Sequence, residues 1–489
     1  MTISAQSADL STVDADVVAV GVFKGGIEGP GTADVLTAIG LSDFPVTPAF
    51  RGDIGQTLLL ATPDQPFSAV LLVGLGRMDG VTPASLRRAA GAAAAATPKS
   101  RRVATTLAQV HPTTAAIEAV ADGLTLGAYQ DDRFKSSSAD DGPASDAVLL
   151  VPSSLLSDAE QAVTRSQVTS GSVMFARDLV NTPPGQARPD DIARMTEKQM
   201  PDNVDTVVHD EGWLQDHGCG GLLGVGRGSA AQSCLVELTY EPADPLAHVV
   251  VAGKGITFDT GGLNLKRGSG MWKMKSDMSG AAAVAAAVGA VAQLGSRIKI
   301  TGLMALAENA IGGDAQRPSD VITTYDGTTV EVRHTDAEGR LVLADALGYG
   351  VSMNPDAILD VATLTGAAVV ALGPWTAATM GNDMALVTDV MAAAERAGES
   401  LWHLPLPDEL EPWLESSVAD VNNLGREGQA GAVVAGLFLR RFVGNVPWVH
   451  LDIAGPSFVD DTDATGHQPV GGTGFGVTTL VSFLERHSR

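Results

Sequence analysis

Apolar positions along this chain fall into two alternating patterns. Short continuous runs, among them Asp16-Val-Val-Ala-Val-Gly-Val22, Ala69-Val-Leu-Leu-Val-Gly-Leu-Gly76 and Ala147–Val151, predict buried strands. Between them, Ser85–Ala96 and Thr113–Gly127 space their apolar residues as helices do. A longer helical pattern runs from Ser157 to Asn181, where Pro183-Pro184 ends it. Beyond that point the alternation resumes. His248–Ala252, Lys299–Ala305, Ala357–Ala362 and Val446–Asp452 read as strands, separated by Ala-rich helical stretches at 279–294, 341–350, 385–397 and 430–443. Strand–helix alternation predicts an α/β chain whose second part holds a mixed, largely parallel sheet. The expected organisation is an N-terminal α/β domain at 1–156, a linking helix at 157–181 and a second α/β domain at 182–489. Lys135–Asp146 is the most polar, loop-forming segment, and no repeat of fixed period is present.

Charge narrows the partners. The 489 residues carry 57 acids against 32 Lys and Arg, a formal net charge of −25. Such a chain gains nothing from the counterion release that drives binding to phosphate backbones, so nucleic acid is a poor partner. Two cysteines, Cys219 and Cys234, make no disulfide framework and point to a reducing cytoplasm. The N-terminal stretch lacks the basic and apolar regions of a secretory signal. The most apolar run, Ala281–Ala292, is too short to span a bilayer and predicts a buried helix. Gly74-Leu75-Gly76 lacks the third glycine and later acid of a dinucleotide site, and is expected to be a strand-end turn.

Candidate chemistry lies after predicted strands, where α/β sheets place their functional loops. His248–Ala252 is followed by Gly253-Lys254-Gly255 and by Asp259-Thr-Gly-Gly262; Lys266 and Asp277 come next, just before the Ala-rich helix. The alternating Val330-Glu-Val-Arg-His334 is followed by Asp336, Glu338 and Arg340. Taken singly, Asp277 suits a helix cap and Asp336 and Glu338 suit a first helical turn. Taken together, four carboxylates with Gly261, Gly262 and Gly339 beside them suit two divalent cations, whose charge matches their own. No H-E-x-x-H zinc motif and no G-x-S-x-G elbow occurs, and Lys254 sits in no P-loop.

These residues bring a family with them. His334–Leu341 reads HTDAEGRL and resembles the NTDAEGRL signature of the leucine aminopeptidase (cytosol aminopeptidase) family. Similar matches run through ARDLVNTPPG (176–185), GGLLGVGRGS (220–229), VAGKGITFDTGGLNLK (251–266), DMSGAAAV (277–284), DVATLTGA (360–367), HLDIAGP (450–456) and TGFGV (473–477). FRGDIGQTLLL (50–60) and ADGLTLGAYQDDRFK (121–135) resemble the family's N-terminal domain more weakly.

The resemblance implies a macro-domain-like N-terminal α/β domain, a catalytic α/β domain, a cytoplasmic homohexamer, and peptide substrates that lose N-terminal residues to a water activated by two metals. Lys254, Asp259, Asp277 and Glu338 resemble the ligands of one metal, and Asp259, Asp336 and Glu338 those of the other. The ions expected are manganese or zinc. Lys266 and Arg340 match the two catalytic positions, Lys266 polarising the scissile carbonyl and Arg340 anchoring a bicarbonate base shared with backbone near Leu364. Met274, Thr363, Leu364, Gly366 and Ala454 match substrate-binding positions, small or apolar enough to favour Leu- or Met-like side chains. Physical chemistry agrees with these roles. A lysine ligates only as a neutral amine, and dications lower the pKa of bound water to ~7 in favourable sites. Arginine's planar fork suits bidentate recognition of an oxyanion.

Two other readings are weaker. A DNA-binding role is opposed by the net charge, and a nucleotide site in the N-terminal domain rests on fold analogy alone. One departure from the family stands out, His334 in place of its usual Asn, and we read it as a residue that hydrogen-bonds the loop as Asn does. His334→Asn is therefore expected to keep most metal-dependent activity. Complete loss of bound metal in that variant, measured by elemental analysis, would overturn the reading.

Overall fold

The structure is a computed structural model and describes residues 1–10, 12–41, 50–62, 65–97, 101–136, 144–460 and 464–486. The polar segment expected at 135–146 lies partly outside the described residues. Two compact units are present, Met1–Met174 with Val459–Val470, and Phe175–Phe458 with Gly471–Arg489. The helix expected at 157–181 runs from Leu156 to Asn181.

The first unit is built on a seven-stranded sheet. Its main path orders the strands Thr2–Gln6, Asp146–Leu150, Arg102–Thr105, Val17–Phe23, Ala69–Gly76 and Thr57–Ala61, parallel except at the last. Val17–Phe23 and Ala69–Gly76 are buried throughout, which is why they read as continuous apolar runs rather than alternating ones. The helices Pro83–Ala96 and Thr114–Gly127 cover one face, while Val35 of Thr32–Ala38 covers the other. Gly74-Leu75-Gly76 is not the expected turn but the last part of the strand, paired with Val22 and Phe23 across a register shift; a Cβ on Gly74 would strike the Asp53 carbonyl.

An eight-stranded sheet organises the second unit. Its order is Ser400–His403, Thr376–Gly381, Trp448–Asp452, Ala357–Ala362, His248–Asp259, Lys299–Asn309, Cys234–Tyr240 and Val204–His209. The four strands from Trp448–Asp452 to Lys299–Asn309 are mutually parallel, and antiparallel pairings flank them. This is the mixed, largely parallel sheet that the alternation predicted. Helix Ser279–Gln293 packs where Gly253 and Gly302 leave room, and Gly339–Ser352 packs on Val250, Ala252 and Leu303 of the opposite pleat.

In the second unit, strand bounds differ from expectation at four places: Lys299–Ala305 runs on to Asn309, Val446–Asp452 begins at Trp448, and two further differences bear on the site. The central strand does not stop at Ala252 but continues to Asp259, paired with Lys299–Asn309 from His248 to Ile256 and, after a register shift, at Asp259. Lys254 therefore sits inside a strand, not in the loop after it. Glycines at 253 and 255 permit this, because a Cβ at either would meet Ala281 or Leu306. The second is the expected strand over 330–334. Only Thr329–Glu331 is strand, in a separate small sheet with Val321–Thr323 and Val421–Asn422.

The Ala-rich helix is buried from Ser279 to Ala292 and lies unusually close to the sheet. A Cβ on Gly280 would come within 2.0 Å of the Val361 carbonyl oxygen. Gly280→Ala is thus expected to cost about 1–3 kcal/mol through forced backbone displacement. Urea denaturation of the variant checks this, and an unchanged midpoint would refute the close packing.

Candidate active site

Lys254 enters the site from the strand interior. Its side chain passes beneath Gly339, where a Cβ would meet Cδ, Cε and Nζ at 2.6, 2.6 and 2.7 Å. Nζ lies 2.8 Å from Asp277 Oδ1, 2.8 Å from Glu338 Oε1, and donates to the Thr363 carbonyl at 2.8 Å. Burial alone would lower its pKa; Asp277, Glu338 and Asp259 outweigh burial and hold the ammonium above its ordinary range.

Asp259 is turned into the site by a β-bulge after Ile256. Its Oδ1 accepts from the Gly261 N–H and from Asn309 Nδ2, both at 2.8 Å. Lys266 Nζ then spans Asp259 Oδ2 (2.7 Å) and Asp336 Oδ1 (2.6 Å). Its pKa is also raised, the carboxylates prevailing over burial. Gly261 and Gly262 have φ of +86° and +61°, as the tight turn between these groups requires. Gly339 has no positive φ; what it supplies is space for Lys254.

Asp277 is no helix cap. The Ser279–Gln293 helix has Met278 at the cap position, while Asp277 faces Lys254 and accepts from Thr363 Oγ1 at 2.7 Å. Burial first, then Glu338 and Asp259, push its pKa well above the carboxylate range. Glu338 stands at the cap position of Gly339–Ser352 without using its side chain to cap.

The segment bearing Asp336 and Glu338 is held by side chains, because the expected strand ended early. Asn423 Oδ1 accepts from the N–H groups of Arg333 (2.8 Å) and His334 (3.3 Å), and Nδ2 donates to the His334 carbonyl (2.8 Å). Thr335 Oγ1 donates to the Gly261 carbonyl at 2.7 Å, which stitches the two loops together. His334 Nδ1 accepts from the Asp336 N–H at 3.3 Å, so this ring serves the loop. Arg340 is buried beneath, its Nη1 on the Asn423 carbonyl at 2.8 Å. Burial brings its pKa down to about 10, against Glu338 and Asp452, which leaves it charged at neutral pH.

Thr363, Leu364, Gly366 and Ala454 come together at the ends of two adjacent parallel strands, and Met274 is half-buried in the same turn as Asp277. The Leu364 N–H is committed to Asp452 Oδ1 at 3.1 Å, so it is not free for the anion that the resemblance assigned to this backbone. Asn309, Asn423 and Asp452 were not singled out from the sequence. Asp452 had a signal, being an acid at a predicted strand end; the two asparagines had none.

A set of cations fits this arrangement. Four carboxylates face two lysines, which leaves negative charge in excess. Asp277 Oδ2 and Glu338 Oε2 are buried without a hydrogen-bond partner, and Asp259, Asp336 and Glu338 offer oxygens within 4.8 Å of one another. Divalent ions satisfy such an oxygen set. Cys219 and Cys234 are buried, and burial first, then nearby acids, raise both thiols, Cys234 to about 12, so neither is a nucleophile.

Fold and site together define an α/β protein whose carboxylate and lysine cluster is suited to divalent cations. The profile described as the cytosol aminopeptidase family, catalytic domain, matches residues 174–481, and that family's N-terminal domain matches 19–138. The chain belongs to the cytosol aminopeptidase family. It is 44% identical over 443 residues to a probable cytosol aminopeptidase of Micrococcus luteus, covering 87% of this chain and 86% of that one. It is 42% identical over 500 aligned positions to a probable cytosol aminopeptidase of Streptomyces coelicolor, covering 96% of each. Among solved structures, the bottromycin maturation enzyme BotP in complex with Mn matches with a TM-score of 0.85 at 39% identity, over 97% of this chain and 100% of that one. A mutant of tomato leucine aminopeptidase matches with a TM-score of 0.87 at 30% identity, over 99% and 96%. No helix among the described residues is long and apolar enough to cross a membrane.

Gly339→Ala tests the geometry directly. The added methyl should push the Lys254 ammonium off Asp277 and Glu338. Manganese affinity, measured by calorimetry, is expected to fall by about tenfold or more, the range seen when a ligand's support is lost. Unchanged affinity in a folded variant would refute the placement of Lys254.

Proposed function

We propose that the chain is a two-metal aminopeptidase that releases N-terminal residues, leucine and similar side chains preferred, from peptides. What carries this reading is the cluster of Lys254, Asp277, Glu338, Asp259, Lys266 and Asp336, in a chain of this family. Two divalent ions, manganese or zinc, held by Lys254, Asp259, Asp277, Asp336 and Glu338 would supply a water nucleophile at neutral pH and polarise the scissile carbonyl.

The chain's own residues do the rest. As a metal ligand Lys254 would be a neutral amine, so binding of the ions would release its proton to solvent. Lys266, with 23% of its side chain exposed, is the lysine open to substrate. Its ammonium donates to the carbonyl oxygen as negative charge develops there. With the carboxylates taken up by cations, Arg340 would hold a bicarbonate ion able to serve as general base, its charge and planar fork suiting that anion. Met274, Thr363, Leu364, Gly366 and Ala454 receive the side chain of the departing residue. The same family reading supports a cytoplasmic homohexamer.

A second reading draws on the likeness to the bottromycin maturation enzyme: a dedicated role in the maturation of one particular product. A substrate panel separates the two. Metal-stripped protein is expected to recover leucyl p-nitroanilide hydrolysis when manganese or zinc is restored, and Lys266→Ala to lose about 100-fold or more in kcat while keeping its metal. Inactivity on every simple aminoacyl substrate with any metal would defeat the leucyl aminopeptidase reading and leave the second.

A further inference from the structure

An acid outside the cation cluster ties together the two segments that meet at the proposed side-chain pocket. Asp452 ends the strand Trp448–Asp452 and is fully buried. Its Oδ1 accepts from the N–H groups of Leu364 (3.1 Å), Thr365 (3.4 Å) and Ala454 (3.3 Å). Its Oδ2 accepts from Thr365 Oγ1 at 2.7 Å. That same hydroxyl oxygen accepts from the Ala368 N–H at 3.0 Å and caps the helix Gly366–Leu372. Thr363, one step earlier, is anchored the other way, to Asp277 and Lys254. The stretch 363–366 therefore hangs between two anchors, the cation cluster on one side and Asp452 on the other.

Asp452 stands on a buried polar file. Trp448 and His450 lie on the same face of its strand, and Asp360 is in register with His450 on the neighbouring strand. Asp360 Oδ1 lies 2.6 Å from His450 Nδ1, and Oδ2 accepts from Trp448 Nε1 at 2.7 Å. All four side chains are fully buried, and His450 Nε2 has no hydrogen-bond partner. Burial opposes a charge on His450, yet Asp360 and Asp452 outweigh it, with Arg340 acting against them, so the imidazole is held above its ordinary range. A lone buried carboxylate at 452 would be costly, whereas one accepting four hydrogen bonds is well supported.

We propose that Asp452 is a positioning residue that sets side-chain selectivity, with the Asp360–His450 pair as its buried support. The inference rests on the aminopeptidase reading. None of Asp452's hydrogen bonds reaches the cation cluster; all end on residues 364, 365 and 454. Its loss should therefore shift the pocket walls and leave the metals in place. Displaced walls penalise a side chain that fills the pocket far more than a methyl group, since hydrophobic fit is worth about 10–200-fold in discrimination.

The test uses manganese-loaded full-length protein and leucyl and alanyl p-nitroanilides. In Asp452→Asn and in Thr365→Val, the leucyl-to-alanyl ratio of kcat/KM is expected to fall by about fivefold or more, chiefly through KM for the leucyl substrate, with metal content unchanged. Thr365→Ser, which keeps the hydroxyl, should restore the ratio to within about twofold of wild type. A folded, metal-replete Asp452→Asn whose ratio is unchanged, both rates falling equally, would overturn the proposal. If that variant does not fold, an unchanged ratio in Thr365→Val overturns it instead. Wild-type protein inactive on both substrates would refute the aminopeptidase reading and this inference with it; active wild type with unchanged variant ratios would refute the inference alone.

Discussion

Lys254 is an ammonium group inside a strand, covered by a helix, and burying such a charge alone would cost several kcal/mol. Much of the second unit's local structure answers that cost. Asp277 and Glu338 approach it from two different connections, the Thr363 carbonyl takes a third contact, and Gly339 carries no side chain where the lysine must pass. The strand continues beyond its Ala357–Ala362 neighbour so that Asp259 joins the same cluster. A buried cluster with more acids than lysines persists because cations can complete it.

Neutral side chains hold that cluster in shape. Asn309 links Asp259 to the loop carrying Asp336, donating to the Thr335 carbonyl as well as to the carboxylate. Asn423 replaces the missing strand partner beside Arg333 and His334, and its own carbonyl receives Arg340. Amides suit these positions because they both donate and accept without adding charge to a crowded electrostatic environment. Asp452 extends the logic to the proposed substrate pocket, where a carboxylate gathers N–H groups that two adjacent loops would otherwise leave unpaired.

Much of this was legible beforehand. Continuous apolar runs marked the buried strands because strands covered on both faces need no polar alternation, and the Ala-rich run marked the helix that lies against Gly253 and Gly302. Strand-end placement picked out Asp259, Asp277, Asp336 and Glu338, and family resemblance assigned them roles. The errors were at boundaries. A glycine-flanked lysine reads as a loop until the space over Gly339 is known, and VEVRH reads as a strand until Asn423 is seen to take over its hydrogen bonds.

The order of strands and helices, the acidic character and the identity of the charged residues followed from the chain by itself, since periodicity and composition are local properties. Which lysine faces which carboxylate was decided by the tertiary structure. So were the parts played by Asn309, Asn423 and Asp452, whose partners lie dozens of residues away in the chain. A hydrogen bond between distant segments leaves no spacing to read. It exists only once the sheet has brought the strand ends together and excluded the water that would otherwise compete for it.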